Sequence, residues 1–587
     1  MNVNALIEKI ERLSTRQVAS ILALVGILAF LQTFWNGFVG DDMSQIVHNP
    51  VVHSLKNILL YFQGGTFYVG DGIAPLYGAY YRPFMTTVLG VLYAVFGAHA
   101  LFFHAVQLMF HIGSAVLFYA ILRLSVRQSI AFFCTLLFLV HPINSQSVYA
   151  IASMQDATML FFGLLGLWLL MQHTGSRKSL VGVGACLFIA LLSKESAIVF
   201  ALMYGYFAWQ WQREHFKTLS TSFACVIAVW AVMRVAAVGL LHNPGNAPIL
   251  HASFGERLLT VPSALYFYAV QFVAPIKISA MYYWTHASFS MAGVGLPLVM
   301  VILCVSAMVF AGRYLQRKAP KRLYYTYLFY AAWFFIHVML ISQVFHALDM
   351  TACITWFYAP SVGLIGMLAI VLSYGLPKLA DTTWLKQAGS SLFVVCMVVL
   401  CVFSVRTFVR GGDWRTEIRL ATHDIQMSQN AQDNFNFAHT IALDLTEKQD
   451  YAEAQAYAER SVQGFEMAKN TYLLGKIYYL QRNFSGAYAS FQAAEAHEVT
   501  PALYEYMALC LLHTGDASAN RAFYRRATSA YARSANIWQI WAVYEYTKGN
   551  PAEAPRLITK ARAIDPQNTQ IQSTYTTITT NSPLTVD

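Results

Sequence analysis

Long apolar segments separated by short polar loops fill the first 410 residues, and the pattern then changes. About 20 apolar residues suffice to cross a bilayer as a helix. The pattern predicts an all-α, polytopic bundle, with segments 84–97 and 258–276 in or near the membrane interface. About eleven crossings are predicted, at about 17–35, 100–122, 129–141, 148–171, a fifth up to Ser193, a sixth up to Trp211, then 219–241, 290–312, 323–344, 353–374 and 390–409.

The basic loops give the bundle an orientation, because Lys and Arg concentrate in cytoplasmic loops. Residues 258–276 are apolar enough to cross, but a crossing there would place the basic cluster at 313–322 outside. We therefore interpret 258–276 as a re-entrant or interfacial helix. With an odd number of crossings, the chain after residue 410 lies on the same extracytoplasmic side as the loop after the first span.

Composition agrees with this pattern. The chain of 587 residues is 57% hydrophobic and 12% charged, with a mean hydropathy of +0.46 and a net charge of +10, whereas soluble proteins carry about a quarter charged residues. The positive charge follows the cytoplasmic loops, so nucleic-acid binding is not needed to explain it. The eight cysteines are scattered and show no metal-binding spacing. We interpret the polar N-terminus as leading into an uncleaved first span.

The polar C-terminal part shows a repeat of about 33 residues. Gly475, Ala508 and Ala542 recur at this step, and Phe491 has Tyr524 as its counterpart. This period is typical of tetratricopeptide repeats, whose paired helices form concave surfaces that bind partners; a purely structural stack is the alternative. The predicted organisation is a membrane domain at 1–412 with a first extracytoplasmic loop at about 36–99, a linker at 413–433, a tetratricopeptide-repeat α-solenoid at 434–570 and a flexible tail at 571–587.

Ionisable residues cluster at the predicted outer ends of the spans. Such residues at membrane depth are costly and usually functional. Arg82 suits a phosphate because its planar fork offers paired donors. The candidates are Asp41 and Asp42 for catalysis, Arg82, Lys194, Tyr81 and His141 for a lipid-linked phosphate, and Asp156, Glu195, His346 and Asp349 as supporting residues.

Several of these candidates could also have a purely structural role. His141 precedes Pro142 and could simply cap a span. Lys194 and Glu195 could pair with each other, and Asp156 could bond its own helix backbone. His346 and Asp349 could belong to a solvated loop.

The order of several motifs resembles a known family. FVGDDMSQIVHNP, YYRPF, LLFLVHPINSQSVYAIASMQDATMLFF and LLSKESA, followed by a repeat array, are similar to the transmembrane-and-tetratricopeptide-repeat proteins. These are GT-C glycosyltransferases related to protein O-mannosyltransferases. Met154-Gln155-Asp156 departs from the Arg or Gly-Arg that usually precedes the span-4 acid in the family. The short chain points to a bacterial member, in the inner membrane with its site and C-terminal domain facing the periplasm.

The resemblance implies a polyprenyl-phosphate-linked sugar as donor and a first-loop acid, Asp41 or Asp42, as the catalytic group. A carboxylate that takes the acceptor's proton contributes roughly 10²–10⁴-fold to the rate, and direct attack on the anomeric carbon inverts it. We favour Asp41 as base with Asp42 orienting the acceptor or the loop, although their order could be reversed. Paired acids with His346 or Asp349 could hold Mg²⁺ or Mn²⁺, but the resemblance favours a site without a metal or other cofactor.

The acceptor is expected to be Ser or Thr of an extracytoplasmic protein, such as a pilin, bound by the repeats. Two alternatives remain. One is sugar or oligosaccharide transfer to a glycan or lipid. The other is a membrane scaffold or transporter without enzymatic activity, although the spans show no internal duplication of the kind that transporters carry.

Overall fold

The protein is described here from a computed structural model, which covers residues 3–68, 76, 78, 80–172, 176–240, 247–379, 383–428, 430–514 and 517–584. Compactness divides the chain into two units, Met1–His423 and Asp424–Asp587. The regular elements of the described residues are helices, with one isolated bridge between Tyr282 and Ala352, which confirms the predicted all-α class.

The first unit contains helices α1 to α17. Their bounds are α1 Val3–Glu11, α2 Thr15–Ala29, α3 Pro83–Phe96, α4 Ala100–Leu122, α5 Gln128–Val140, α6 Gln146–Tyr149, α7 Met154–Gln172, α8 Arg177–Ser193, α9 Ile198–Trp211, α10 Phe216–Val238, α11 Pro248–His251, α12 Phe254–Val273, α13 Leu296–Lys318, α14 Lys321–Ile341, α15 Tyr358–Leu379, α16 Thr383–Asp413 and α17 Glu417–Asp424.

Seven helices among the described residues are long and apolar enough to cross a membrane: α4, α7, α10, α13, α14, α15 and α16. This makes the chain an integral membrane protein. The other four predicted spans coincide with the shorter helices α2, α5, α8 and α9, of 13 to 17 residues. At about 1.5 Å per residue such helices fall short of a 30 Å hydrocarbon core. One of them, α5, continues after a 49° bend into the segment Pro142–Tyr149.

The two predicted non-spanning segments also form helices. The first, α3, begins at Pro83, whose fixed φ suits the first helical position. The second, α12, starts with a capping box between Ser253 and Glu256 and contains Pro262. Neither is among the helices long and apolar enough to cross.

Burial identifies the centre of the bundle. In α15 and α7, 78% and 61% of the most apolar 18-residue stretch is buried, whereas in α10 and α13 only 11% and 17% of this stretch is buried. With no hydrophobic gain from contact between helices in lipid, the exposed apolar faces of α10 and α13 suit acyl chains. The candidate residues sit at one end of the central helices, described below.

The second unit is a stack of antiparallel helix pairs. Successive pairs begin at Ala431, Ala468, Pro501 and Ala535, in agreement with the predicted solenoid. Its helices are α18 Ala431–Glu447, α19 Tyr451–Gly464, α20 Ala468–Leu480, α21 Phe484–Glu495, α22 Pro501–His513, α23 Ala517–Ala530, α24 Ala535–Thr547, α25 Ala554–Ile564 and α26 Thr569–Thr579.

Two predicted boundaries differ from the structure. The predicted linker, 413–433, contains α17 and the start of α18. The predicted flexible tail, 571–587, contains most of α26, which buries Ile571 and Ile578. The apolar spacing of Ile571, Thr574 and Ile578 was the signal for this extra helix, because it places three side chains on one face.

Candidate active site

The acidic loop after α2 is fixed by Asp42. This side chain is 1% exposed. One carboxylate oxygen accepts from the backbone N–H of Val39 at 3.0 Å and the other from the N–H of Ala152 at 2.7 Å. Burial raises the pKa of Asp42 to about 7, the charge of Asp41 adds to the rise, and the two amide hydrogen bonds oppose it. Asp42 therefore ties the loop to the segment just before α7.

Asp41, in contrast, is exposed. Its loop also contacts the end of α16, where the side-chain amide of Asn36 donates to the Gly411 carbonyl at 3.1 Å and the Gly37 N–H donates to the Arg415 carbonyl at 3.3 Å. The first loop and the C-terminal end of α16 thus lie together. Of the two acids, Asp41 is the one a substrate can reach.

Glu417, at the start of α17, is a third carboxylate beside this loop. The backbone of Gly40 hydrogen-bonds it, and partial burial together with the charge of Asp41 raises its pKa. Sequence reasoning missed Glu417. The available signal was its place just after the last predicted span, on the side assigned to Asp41.

Arg82 and its neighbours form a second part of the site. The Arg82 side chain is 8% exposed, and its Nε lies 3.4 Å from Glu195 Oε2. The other Glu195 oxygen accepts from the backbone N–H of Tyr81 at 2.9 Å. Arg82 also stacks on the Tyr80 ring, with its Cζ 4.1 Å from the ring centre. Glu195 therefore holds both residues that directly precede α3.

Lys194 and Asp156 form a buried ion pair next to this cluster. Lys194 Nζ is 2.6 Å from Asp156 Oδ1, and the two side chains are 14% and 4% exposed. Lys194 follows the C-terminus of α8 and Asp156 lies in the first turn of α7, positions that each helix dipole favours for that charge. Lys194 is extended and Glu195 begins a short 3₁₀ turn. These adjacent side chains pair with Asp156 and Arg82, not with each other.

A loop between α14 and α15 completes the cluster, because the Tyr80 hydroxyl hydrogen-bonds Asp349. Gln343, with φ at +66°, closes this loop. Its amide donates to the carbonyls of Met350 and Thr351 and accepts from the Leu348 N–H. Asp349 thus joins the site and is not simply part of a solvated loop. His346, in the same loop, is exposed.

His141 has a structural place. It is fully buried. Its Nδ1 accepts from the Ile143 N–H at 3.1 Å, and its Nε2 lies 2.9 Å from the Phe272 carbonyl. Both ring nitrogens have backbone partners, which suits the alternative role as a cap, and the phosphate role stays a prediction. The described residues contain no group of three or more His, Cys, Asp or Glu side chains arranged to hold a metal ion.

Sequence comparison shows which known proteins this chain resembles. No protein-family profile matches the chain. It is similar to Protein O-mannosyl-transferase F38B6.6 of Caenorhabditis elegans, with 22% identity over 72% of this chain and 59% of the relative. It is also similar to the human protein O-mannosyl-transferases TMTC3 and TMTC1, with 20% identity over 74% of this chain and 50% of the relative, and 23% over 72% and 53%.

The predicted resemblance is confirmed. The aligned region covers nearly three quarters of this chain, so it extends well beyond any one motif. The chain spans about half the length of the curated relatives it matches.

Proposed function

We propose that this chain is a membrane glycosyltransferase that moves a sugar from a polyprenyl-phosphate carrier to a hydroxyl of a protein. One observation carries the proposal: an exposed acid, Asp41, stands on a loop anchored by Asp42 to the same helix end that holds the Lys194–Asp156 pair. Relatives named protein O-mannosyl-transferases support it and make mannose the first sugar to test.

The basic residues supply a place for the donor phosphate. Arg82 uses Nε toward Glu195, and its terminal nitrogens make no hydrogen bond to another described residue. Its fork can therefore take two phosphate oxygens while Glu195 holds the stem. Lys194 adds a second positive charge. These charges stabilise the phosphate as it leaves, in a water-poor setting where electrostatic stabilisation is strong.

Asp41 acts as the base in this proposal. The acceptor oxygen forms a bond with the anomeric carbon, and the bond from that carbon to the phosphate oxygen breaks. The hydroxyl proton passes to Asp41, and the electron pair leaves with the polyprenyl phosphate. A single displacement of this kind inverts the anomeric carbon. The position of Asp42, with both oxygens on backbone amides, suits a residue that orients the loop.

The acceptor proposed is Ser or Thr of an extracytoplasmic protein, with the helical repeats as its docking region. In a bacterial cell the site and the repeats would face the periplasm. No metal or cofactor enters the proposed step.

The test is transfer by the purified full chain in nanodiscs, with polyprenyl-phosphate mannose and a Ser/Thr peptide, read by mass spectrometry. We expect Asp41→Asn to lower turnover by about 100-fold or more, because it removes the base. Glu214→Gln, in the loop after α9, is the matched control and should keep full turnover. If Asp41→Asn transfers as fast as wild type, the assignment of the base is wrong.

The acceptor and donor classes are tested in the same system. Donors with other sugars and acceptors of glycan or lipid type are offered in parallel. Transfer to a glycan or lipid alone would replace the protein-acceptor proposal. Absence of transfer from every donor would leave a scaffold as the better description.

A further inference from the structure

Buried beside the Lys194–Asp156 pair are two hydrogen-bond acceptors that nothing in the described structure satisfies. Asp156 Oδ2 and His337 Nε2 are both buried without a hydrogen-bond partner. The two side chains are on different helices, α7 and α14, and His337 is 3% exposed. Unsatisfied buried polar groups are costly in proteins and call for a specific explanation.

Both groups interact with the same ammonium. Lys194 pairs with Asp156 at 2.6 Å and interacts electrostatically with His337. His337 lies one helical turn from the end of α14 at Ile341, and Asp156 lies in the first turn of α7. The cluster therefore sits just inside the end of the bundle where Arg82 is found.

The tautomer of His337 can be read from its one hydrogen bond. Its Nδ1 lies 2.9 Å from the Trp333 carbonyl oxygen. A carbonyl only accepts, so Nδ1 carries the proton, and Nε2 of the neutral ring is an acceptor. The ring is also held in place by stacking on Trp333. Together with Asp156 Oδ2, this makes two buried acceptors without a donor among the described residues.

Two buried acceptors without a donor indicate which chemical class of ligand could bind here. A phosphate diester or an ionised phosphate presents acceptors, which these atoms would repel. A polyol presents O–H donors, and a sugar carries several at fixed spacing. In a lipid-phosphate donor the sugar is joined directly to the phosphate, so its subsite must adjoin the phosphate site. Lys194 precedes Glu195, the partner of Arg82, so this adjacency is present in the chain itself.

We propose that Asp156 Oδ2 and His337 Nε2 accept hydrogen bonds from two hydroxyl groups of the donor sugar. This inference rests on the proposed function and assigns its sugar subsite to the buried polar groups beside Lys194. His337 was not among the sequence candidates, because one histidine inside an apolar span reads as a core residue.

The experiment uses polyprenyl-phosphate mannose and its four single-deoxy analogues as donors for the full chain. In wild type we expect one or two analogues to lose about 10-fold or more in kcat/KM, because the missing hydroxyl leaves a buried acceptor unpaired. His337→Phe removes Nε2, so it should lose the preference at one hydroxyl position and keep the other. Asp156→Asn should reduce the preference at the other position.

Two controls separate a sugar contact from a structural effect. His337→Gln restores a side-chain acceptor and should recover part of the preference. His111 is an equally buried histidine whose nitrogens contact the Tyr358 hydroxyl and the Leu139 carbonyl. His111→Phe should lower the unfolding temperature without changing the order of the analogues.

The outcomes are distinct. If wild type turns over but His337→Phe ranks the five donors as wild type does, the subsite is wrong and water fills these positions. If wild type turns over none of the five donors although it transfers another sugar, the deoxy analogues of that sugar replace the mannose series, and equal rates for all of them contradict the subsite. Failure of wild type with every sugar contradicts the proposed function itself.

Discussion

At the scale of single residues, two adjacent acids have different environments. Asp42 is buried, and each of its carboxylate oxygens accepts a hydrogen bond from a backbone amide, whereas Asp41 is exposed on the same turn. A carboxylate held by two amides is well suited to position a loop and poorly placed to take a substrate proton. The sequence alone could not separate the two, because adjacency gives each the same distance from the span.

The raised pKa of Asp42 predicts a pH dependence of stability. A carboxyl whose pKa is about 7 when folded and near 3.8 when unfolded binds more protons in the folded state. Its contribution is therefore full below about pH 4 and is lost as the pH rises to about 7, with a maximum change of about 4 kcal/mol. The measurement is the unfolding temperature of wild type minus that of Asp42→Asn, from pH 4 to 9.

This difference should fall as the pH rises toward 7 and level off above it. Asn does not titrate, so the shared pH response of all other groups cancels in the subtraction. A constant difference across the range would show that Asp42 keeps an ordinary pKa in the folded protein.

At the scale of elements, the site forms where helix ends meet. The start of α3, the start of α7, the end of α8 and the loop between α14 and α15 each supply one part. These pairings are hard to predict from the sequence, because the partners lie far apart along the chain. Tyr80 is 269 residues from Asp349, its hydrogen-bond partner. The alternation of basic loops along the sequence predicts that these helix ends lie on one side of the membrane. It does not predict which helix ends contact each other.

The loop between α14 and α15 yields a prediction of its own. Gln343 is 1% exposed and its amide makes three hydrogen bonds inside the loop. Gln343→Ala should therefore cost about 2–3 kcal/mol locally, because buried partners are left unpaired. Faster amide exchange over 344–351 and a several-fold higher KM for the lipid-linked donor are expected, since Asp349 would no longer hold Tyr80.

Gln212→Ala is the matched control for this variant. Gln212 is also a buried amide, and it bonds the Leu170 carbonyl, at the ends of α9 and α7 away from the loop. It should lower stability without faster exchange over 344–351. Equal exchange of that segment in Gln343→Ala and wild type would mean that Gln343 does not order the loop.

The helices could be predicted from the sequence because of their apolar composition. All eleven predicted spans coincide with helices, because apolar runs in a membrane protein have few alternatives to the helix. Four of these helices are short. Hydropathy could not predict this, since a largely apolar stretch such as 31–35, inside the predicted first span, forms a 3₁₀ turn instead of continuing α2. Glu417 and His337 were missed for opposite reasons: one looked like a linker residue and the other like core.

At the scale of the whole molecule, the chain combines a membrane unit with a helical repeat unit. Each has its own core, and small residues allow close helix contact in both. Gly411 packs against Tyr149 in the membrane unit, and Gly475 packs against Phe491 in the repeat unit. A functional division follows from the proposal: sugar transfer belongs to the membrane unit, and capture of a folded acceptor belongs to the repeats.

Gly475→Val tests this division. A Cβ at Gly475 would lie 2.7 Å from the Phe491 ring, so the larger side chain should force α20 and α21 apart and destabilise the repeat unit by about 1–3 kcal/mol. The membrane unit has no part in that contact. We therefore expect an unchanged rate with a short Ser/Thr peptide and a raised KM with a whole protein acceptor, measured in the same nanodiscs.

Gly205→Val serves as the control, because nothing lies within 4 Å of a Cβ added there, and both rates should stay at the wild-type level. Equal KM values for the protein acceptor in wild type and Gly475→Val, despite a lower unfolding temperature of the repeats, would remove the repeats from acceptor binding. If the rate with the short peptide fell together with the rate with the protein acceptor, the repeats would be needed for the chemistry and not only for capture.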